Sequence, residues 1–502
     1  MNPRFIPPYE SADWSKWHSV LSKEISDSAD FDQMMTQLHG DKYDPRAFSN
    51  FLHSYYLGEN ESGVFGDIDP DVSINHRPET RRINKKELFA SILPFIQGLV
   101  VKFPSIMYSF MMSKIDNNLS ADQINKLPKD YIINELIENS AIYPLSIAKQ
   151  PMTNIMIPRT HVTAILACAF FGLFDLYECR GDVDSATFSN VNFLNFITKN
   201  NTSAFECIVN YFARVQRELP AGNVIIRRVN TSPKTSTWSK NAPLSHVRLY
   251  TNMLAENSHA NVQLLAHSSF DMFSPKNNDI EPSYIRFLIH PELFILPIFV
   301  ENLTKNESLI VLGIETYSSV IYSDKAVGYN SIKYSGEYYD NVQRVRNGTP
   351  ARTLIFVPAL HTDGAEHASK YLDSFKQTLD IIHDAIQNVV PNDNTMPRFV
   401  VDISIGPWSP LQYVQLLLAA SAVGNTRIHY HRNDMLESNK DRKIIQKIEM
   451  FMLALSKHNA GMKAVISAYN KFSQDFRRDR DNNYGEYDPK TIDVFSIVAQ
   501  RL

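Results

Sequence analysis

Apolar residues recur along this chain at two different spacings. From Lys85 the spacing is helical: Leu88, Ile92, Phe95, Ile96 and Leu99 return every third or fourth residue. His161 to Leu176 continues as a strongly apolar helix, and Phe205, Ile208, Val209, Tyr211 and Phe212 mark another. Residues 85–216 therefore read as a helical accessory layer. Past residue 217 the texture changes to short runs rich in Val, Ile and Leu, at 223–228, 246–250, 262–266, 308–313, 353–357, 398–403 and 426–430. Each has strand length and polar or turn residues at its ends. Helical patterns at 283–299, 365–390 and 411–422 lie between some of them. Strands alternating with helices predict an α/β fold: a mixed sheet covered by helices on both faces.

The ends of the chain are more polar. Trp14 and Trp17 flank a short helical pattern, and Gly58 to Glu79 is polar with Asp-Pro and Arg-Pro turns. Residues 1–84 are expected to form an irregular N-terminal extension. Two helical patterns, 444–457 and 460–476, close the α/β part at 217–476, leaving 477–502 as a tail.

Composition narrows the function classes. The 502 residues are 44% hydrophobic and 21% charged, enough for a sizeable core. Lys and Arg number 50 against 54 Asp and Glu, so whole-chain charge does not point to nucleic acid or acidic lipid. The longest apolar run, Ala164 to Phe174, is much shorter than the roughly 20 residues a bilayer requires. The start, Met1 to Trp17, has no apolar signal segment. A cytoplasmic or nuclear protein is expected, and Asn-x-Ser/Thr triplets such as Asn118-Leu119-Ser120 are then incidental.

Familiar chemistry is scarce. Cys168, Cys179 and Cys207 form no C-x-x-C pair, so neither a disulfide framework nor a zinc ribbon is expected. Cys207 sits in an amphipathic helix without an identifiable histidine partner and reads as a small core residue. His429 and His431 share one side of a strand but lack a third metal ligand. The acids Asp67, Asp69, Asp479 and Asp481 read as solvated. P-loop, dinucleotide, nucleophile-elbow and H-E-x-x-H motifs are all missing. No cofactor or metal is implied.

One set of strings is specific. Ile285 to Leu293 reads IRFLIHPEL; then come Glu307-Ser308-Leu309-Ile310, Gly313-Ile314-Glu315-Thr316-Tyr317-Ser318, Pro358-Ala359-Leu360-His361 and Tyr371-Leu372-Asp373-Ser374-Phe375. In this order they resemble the catalytic region of the poly(ADP-ribose) glycohydrolases, a macrodomain-like fold behind a helical domain. Ala164 to Phe174, Pro243-Leu244 and Leu416 to Ala422 extend the resemblance over about residues 85 to 475.

The resemblance implies a site that this sequence does not carry. In the family a glycine triplet lets backbone N–H groups approach the ADP-ribose. A Q-E-E triplet just before I-R-F supplies the glutamate that passes a proton to the departing ribose oxygen and then activates water. Aligned without a gap from Gln263 to Phe287, the glycine positions fall on Met272, Phe273 and Ser274, and Q-E-E falls on Pro282, Ser283 and Tyr284. The family's strand Asp and Asn fall on Leu265 and Ser268. A second, glycine-rich diphosphate loop is reduced to Gly406-Pro407-Trp408-Ser409-Pro410, in which the prolines fix φ and remove donors. Tyr317 and Tyr322 are the aromatic residues left in the adenine-facing segment. Glu281 is the one substitute acid beside the frame, with Asp271 and Asp279 in the same loop; next to Pro282 it reads as a first-turn acid favoured by the helix dipole.

The expectation is a catalytically inactive pseudoenzyme of this family that acts as a protein-interaction scaffold. The alternatives are a reader that binds ADP-ribose or its polymer without cutting, and a hydrolase with a relocated acid.

Overall fold

The computed structural model describes residues 7–61, 83–106, 152–176, 191–199, 201–218, 222–231, 243–251, 262–267, 269–270, 282–322, 332–338, 353–358, 375–388, 399–404, 410–423, 426–432 and scattered positions from 446 to 471.

Three helices begin the chain: α1 (Trp14–Leu21), α2 (Ser28–His39) and α3 (Ala47–Glu61). This corrects the expected irregular extension. Their apolar stripes are short, but Trp17, Leu21, Phe31, Met35, Phe48 and Phe51 are buried in the same core as the later helices. A buried carboxylate sets the α2–α3 corner. Asp32 accepts from the Tyr43 hydroxyl (2.8 Å), the Phe48 and Ser49 backbone N–H groups (2.9 Å each) and the Ser49 hydroxyl (2.5 Å). Those two N–H groups belong to the first turn of α3, where a negative charge is favoured.

The helical layer follows with α4 (Leu93–Val101), α5 (Arg159–Phe170), α6 (Leu194–Thr198) and α7 (Thr202–Arg217). α5 is buried along almost its whole length, with Arg159, His161 and Thr163 buried beside the apolar run Ala164–Phe170. The layer is not purely helical. Strand β1 (Met152–Pro158), which periodicity did not reveal, lies just before α5 and pairs antiparallel with β2 (Asn223–Asn230).

The remaining strands of the large sheet are β3 (His246–Thr251), β4 (Val262–Ala266), β5 (Glu307–Leu312), β8 (Thr353–Val357), β9 (Phe399–Ser404) and β10 (Thr426–Arg432). All seven strand runs expected from the sequence are present. The eight strands are ordered β1-β2-β5-β8-β4-β9-β10-β3. The first four pair antiparallel, whereas β8, β4, β9, β10 and β3 run parallel. Central β8 is buried at every position, matching the apolar run Leu354–Val357 that follows Thr353. A separate hairpin, β6 (Ser318–Tyr322) and β7 (Ile332–Glu337), was not foreseen. The helices α8 (Pro282–Ile289), α9 (Phe375–Gln387) and α10 (Pro410–Val423) complete the mixed α/β architecture.

Candidate functional site

Two loops that should form the site leave adjacent parallel strands at the same end of the sheet. β4 ends at Ala266 and leads toward α8; β9 ends at Ser404 and leads into α10. β8, on the other side of β4, ends at Val357 in the same direction. In parallel sheets the carboxyl ends of strands are where ligands bind. The carboxyl ends of β4 and β9 thus lie side by side. Met272, Phe273, Ser274, Glu281, Asp271, Asp279, Gly406, Trp408 and Ser268 lie outside the described residues. Leu265 is buried within β4.

The backbone of Pro282, Ser283 and Tyr284 forms the first turn of α8, with no acidic residue in that turn. Proline suits this place because the first helical N–H groups have no intrahelical acceptor. Tyr322 ends β6 by its backbone.

Tyr317 is fully buried, inside a network that joins the helical layer to the core. Its hydroxyl donates to Glu292 Oε1 (2.9 Å), its ring meets Tyr211 edge-on at 4.7 Å, and the Arg214 guanidinium lies 5.0 Å from its centroid. Asn210 donates to its carbonyl (2.9 Å), and its own N–H donates to the Ile289 carbonyl (2.9 Å). Arg159, the first residue of α5, donates to Glu292 and to the Gly313 carbonyl. Arg214 donates to the Thr316 carbonyl (2.8 Å) and lies 3.6 Å from Glu315. Burial pushes the Glu292 carboxyl up, against the opposing pull of Arg159. Glu315 and Tyr317 are tied to the same turn by Gly313, whose φ is +81° and whose added Cβ would stand 2.6 Å from the Asn223 carbonyl oxygen.

The most recognisable strings therefore have structural work. Within IRFLIHPEL, Arg286 donates to Gln263 Oε1 of β4 (2.6 Å), and Glu292 receives Arg159 and Tyr317. On the far side of the sheet's centre, Arg228 grips Glu307 at 2.9 and 2.6 Å, both side chains fully buried. Sequence reasoning did not single out Arg159, Arg214, Arg228 or Arg286. The available signal was charge inside apolar runs, because such charges must be paired when buried.

Burial pushes the Cys168 and Cys207 thiols well up, leaving them unreactive. Among the described residues no group of three or more His, Cys, Asp or Glu could hold a metal. No described helix is long and apolar enough to cross a membrane.

Comparison with known proteins agrees with this arrangement. Residues 80–228 match the profile described as poly(ADP-ribose) glycohydrolase, helical domain, and residues 236–380 match that of its macro domain fold. Among curated proteins, "Probable poly(ADP-ribose) glycohydrolase 2" of Arabidopsis thaliana is 27% identical over 262 residues, 46% of this chain and 48% of the relative. "Poly(ADP-ribose) glycohydrolase 1" of the same plant is 23% identical over 290 residues, 56% of this chain and 48% of the relative. The matched region thus spans about half the length of each. The ordered helical layer, the mixed sheet and these two matching profiles together place the chain in the poly(ADP-ribose) glycohydrolase family.

Proposed function

We propose that this chain is a non-hydrolysing member of its family, whose core serves as a protein-interaction scaffold in the cytoplasm or nucleus. One observation carries the reading: α8 opens with Pro282-Ser283-Tyr284 and holds no acid in its first turn, where the resemblance puts the Gln-Glu-Glu triplet. A missing general acid/base alone lowers a rate by about 10²- to 10⁴-fold. The replaced glycine positions Met272, Phe273 and Ser274, and the proline-flanked Gly406 and Trp408, also withdraw the flexible backbone donors that would hold a diphosphate. Met272, Phe273 and Tyr284 are larger and more apolar than the residues they replace, which suits a protein contact. The division at residues 85, 217 and 477 belongs to the same proposal.

Two measurements on the full chain test it. Calorimetry with ADP-ribose is expected to give no heat at millimolar ligand; a saturable signal would favour the non-cutting reader. Affinity capture from cell extract with Met272→Gly, Phe273→Gly and Tyr284→Glu combined is expected to lose partners held by the native chain. Unchanged recovery would detach the interaction surface from the former cleft.

A further inference from the structure

Strand β3 is the last strand of the eight-stranded sheet, and no described strand pairs with its outer side. On its inner side β10 sets Arg427 opposite His246 and His429 opposite Arg248. Side chains alternate along strands, so these four share one face. The other face is taken by α10. Ile428 is fully buried, the Thr426 hydroxyl donates to the Ala420 carbonyl (2.6 Å), and the Ser245 N–H donates to the Ser421 hydroxyl (2.8 Å).

His246 and Arg248 are exposed, and Arg427 and His429 are half-buried. The side chains of His246, Arg248 and Arg427 have no hydrogen-bond or ion-pair partner among the described residues, and Arg427 Nε is shielded without an acceptor. Arg248 and Arg427 thus set two positive charges on this face. In backbone register β9 sets Asp402 opposite His429.

We propose that this edge docks an extended acidic segment of a partner protein. The segment adds to β3 as a further strand, with carboxylates at every second position facing His246 and Arg248. Main-chain hydrogen bonds to the open edge give affinity, and alternate side chains give specificity. Charges on an edge strand ordinarily discourage strand addition; here Arg248 and Arg427 are positive and on one face, so they disfavour basic strands while admitting acidic ones. A second copy of the chain does not fit, because β3 paired with itself would set these basic residues against each other. The surface gives a scaffold a partner chemistry, but it is carried by β3 and β10 and would remain on an active hydrolase.

Fluorescence anisotropy on the full chain tests this with a labelled octapeptide of alternating Glu and Val. Binding is expected, and about tenfold weaker binding for Arg248→Glu at an unchanged melting temperature. A Lys-Val octapeptide is expected not to bind, and a Glu-Val peptide interrupted by proline is expected to bind at least about tenfold more weakly. His246→Glu provides an independent second variant with the same expected loss. Absence of Glu-Val binding, equal binding by both variants, or equal affinity for the proline-interrupted peptide or a single-stranded oligonucleotide would overturn the proposal.

Discussion

Arg159 at the start of α5 donates to Glu292 in the Pro-Glu-Leu turn, so a helix of the accessory layer is tied by charge to the loop that follows the core's signature helix. Both side chains are buried. A buried pair is weak evidence of net stability, but breaking it strands a charge. Arg159→Met should therefore destabilise the protein by about 3–5 kcal/mol. Arg159→Met with Glu292→Leu should recover part of that loss. Urea unfolding of the two variants and the native chain measures both.

The Arg228–Glu307 pair should leave a pH signature. Burial alone would push the Glu307 carboxyl up, but the Arg228 fork and the Thr304 N–H outweigh it and hold it below the usual range. A depressed carboxyl contributes stability that is present above its unfolded value and is lost as pH falls through the folded one. Acid unfolding followed from pH 7 downward should therefore show a loss beginning near the ordinary glutamate range of about 4.3. Glu307→Gln should flatten that part of the curve and lower stability at neutral pH.

Asp32 makes a comparable prediction for the N-terminal helices. Four donors converge on it, two of them first-turn N–H groups of α3. Asp32→Ala removes all four acceptances and should cost about 2–3 kcal/mol. Hydrogen exchange should rise first in α2 and α3 if the loss is local.

Strand pairing ties the two matched regions together. β1 and β2 arise before residue 231, yet β2 pairs along its length with β5. Residues 1–235 expressed alone would expose that edge and should aggregate or remain unfolded. The whole chain should show one main thermal transition for the helical layer and sheet together. Calorimetry and proteolysis of the two constructions check this.

Much of the sheet is legible in the sequence because apolar runs such as Leu354–Val357 have little choice but the interior. β1 was hidden: Met152-Thr153-Asn154 breaks its apolar run, and only pairing with β2 makes it a strand. The hairpin β6–β7 was masked by Ser, Gly and Lys, and it is held instead by Asn210, Arg214 and Arg217 from α7. Beyond the short pattern at Trp14 and Trp17, the helices α2 and α3 are not legible in the sequence, because their order depends on Asp32 and on aromatic packing against α5 and α7, which no local period reports. At the site, lineage was legible in strings such as IRFLIHPEL, since Arg286 and Glu292 hold the scaffold. Tyr317 reads as an adenine-side aromatic in the sequence; its burial depends on Glu292 in the preceding turn and on Tyr211, more than a hundred positions away.

The absence of hydrolysis is the claim on which the functional account rests. Stoichiometric full-length protein incubated with labelled poly(ADP-ribose) should release no more ADP-ribose than a protein-free control, at any pH from 5 to 8. Release above that control, abolished by Glu281→Gln, would contradict the account and identify a relocated acid.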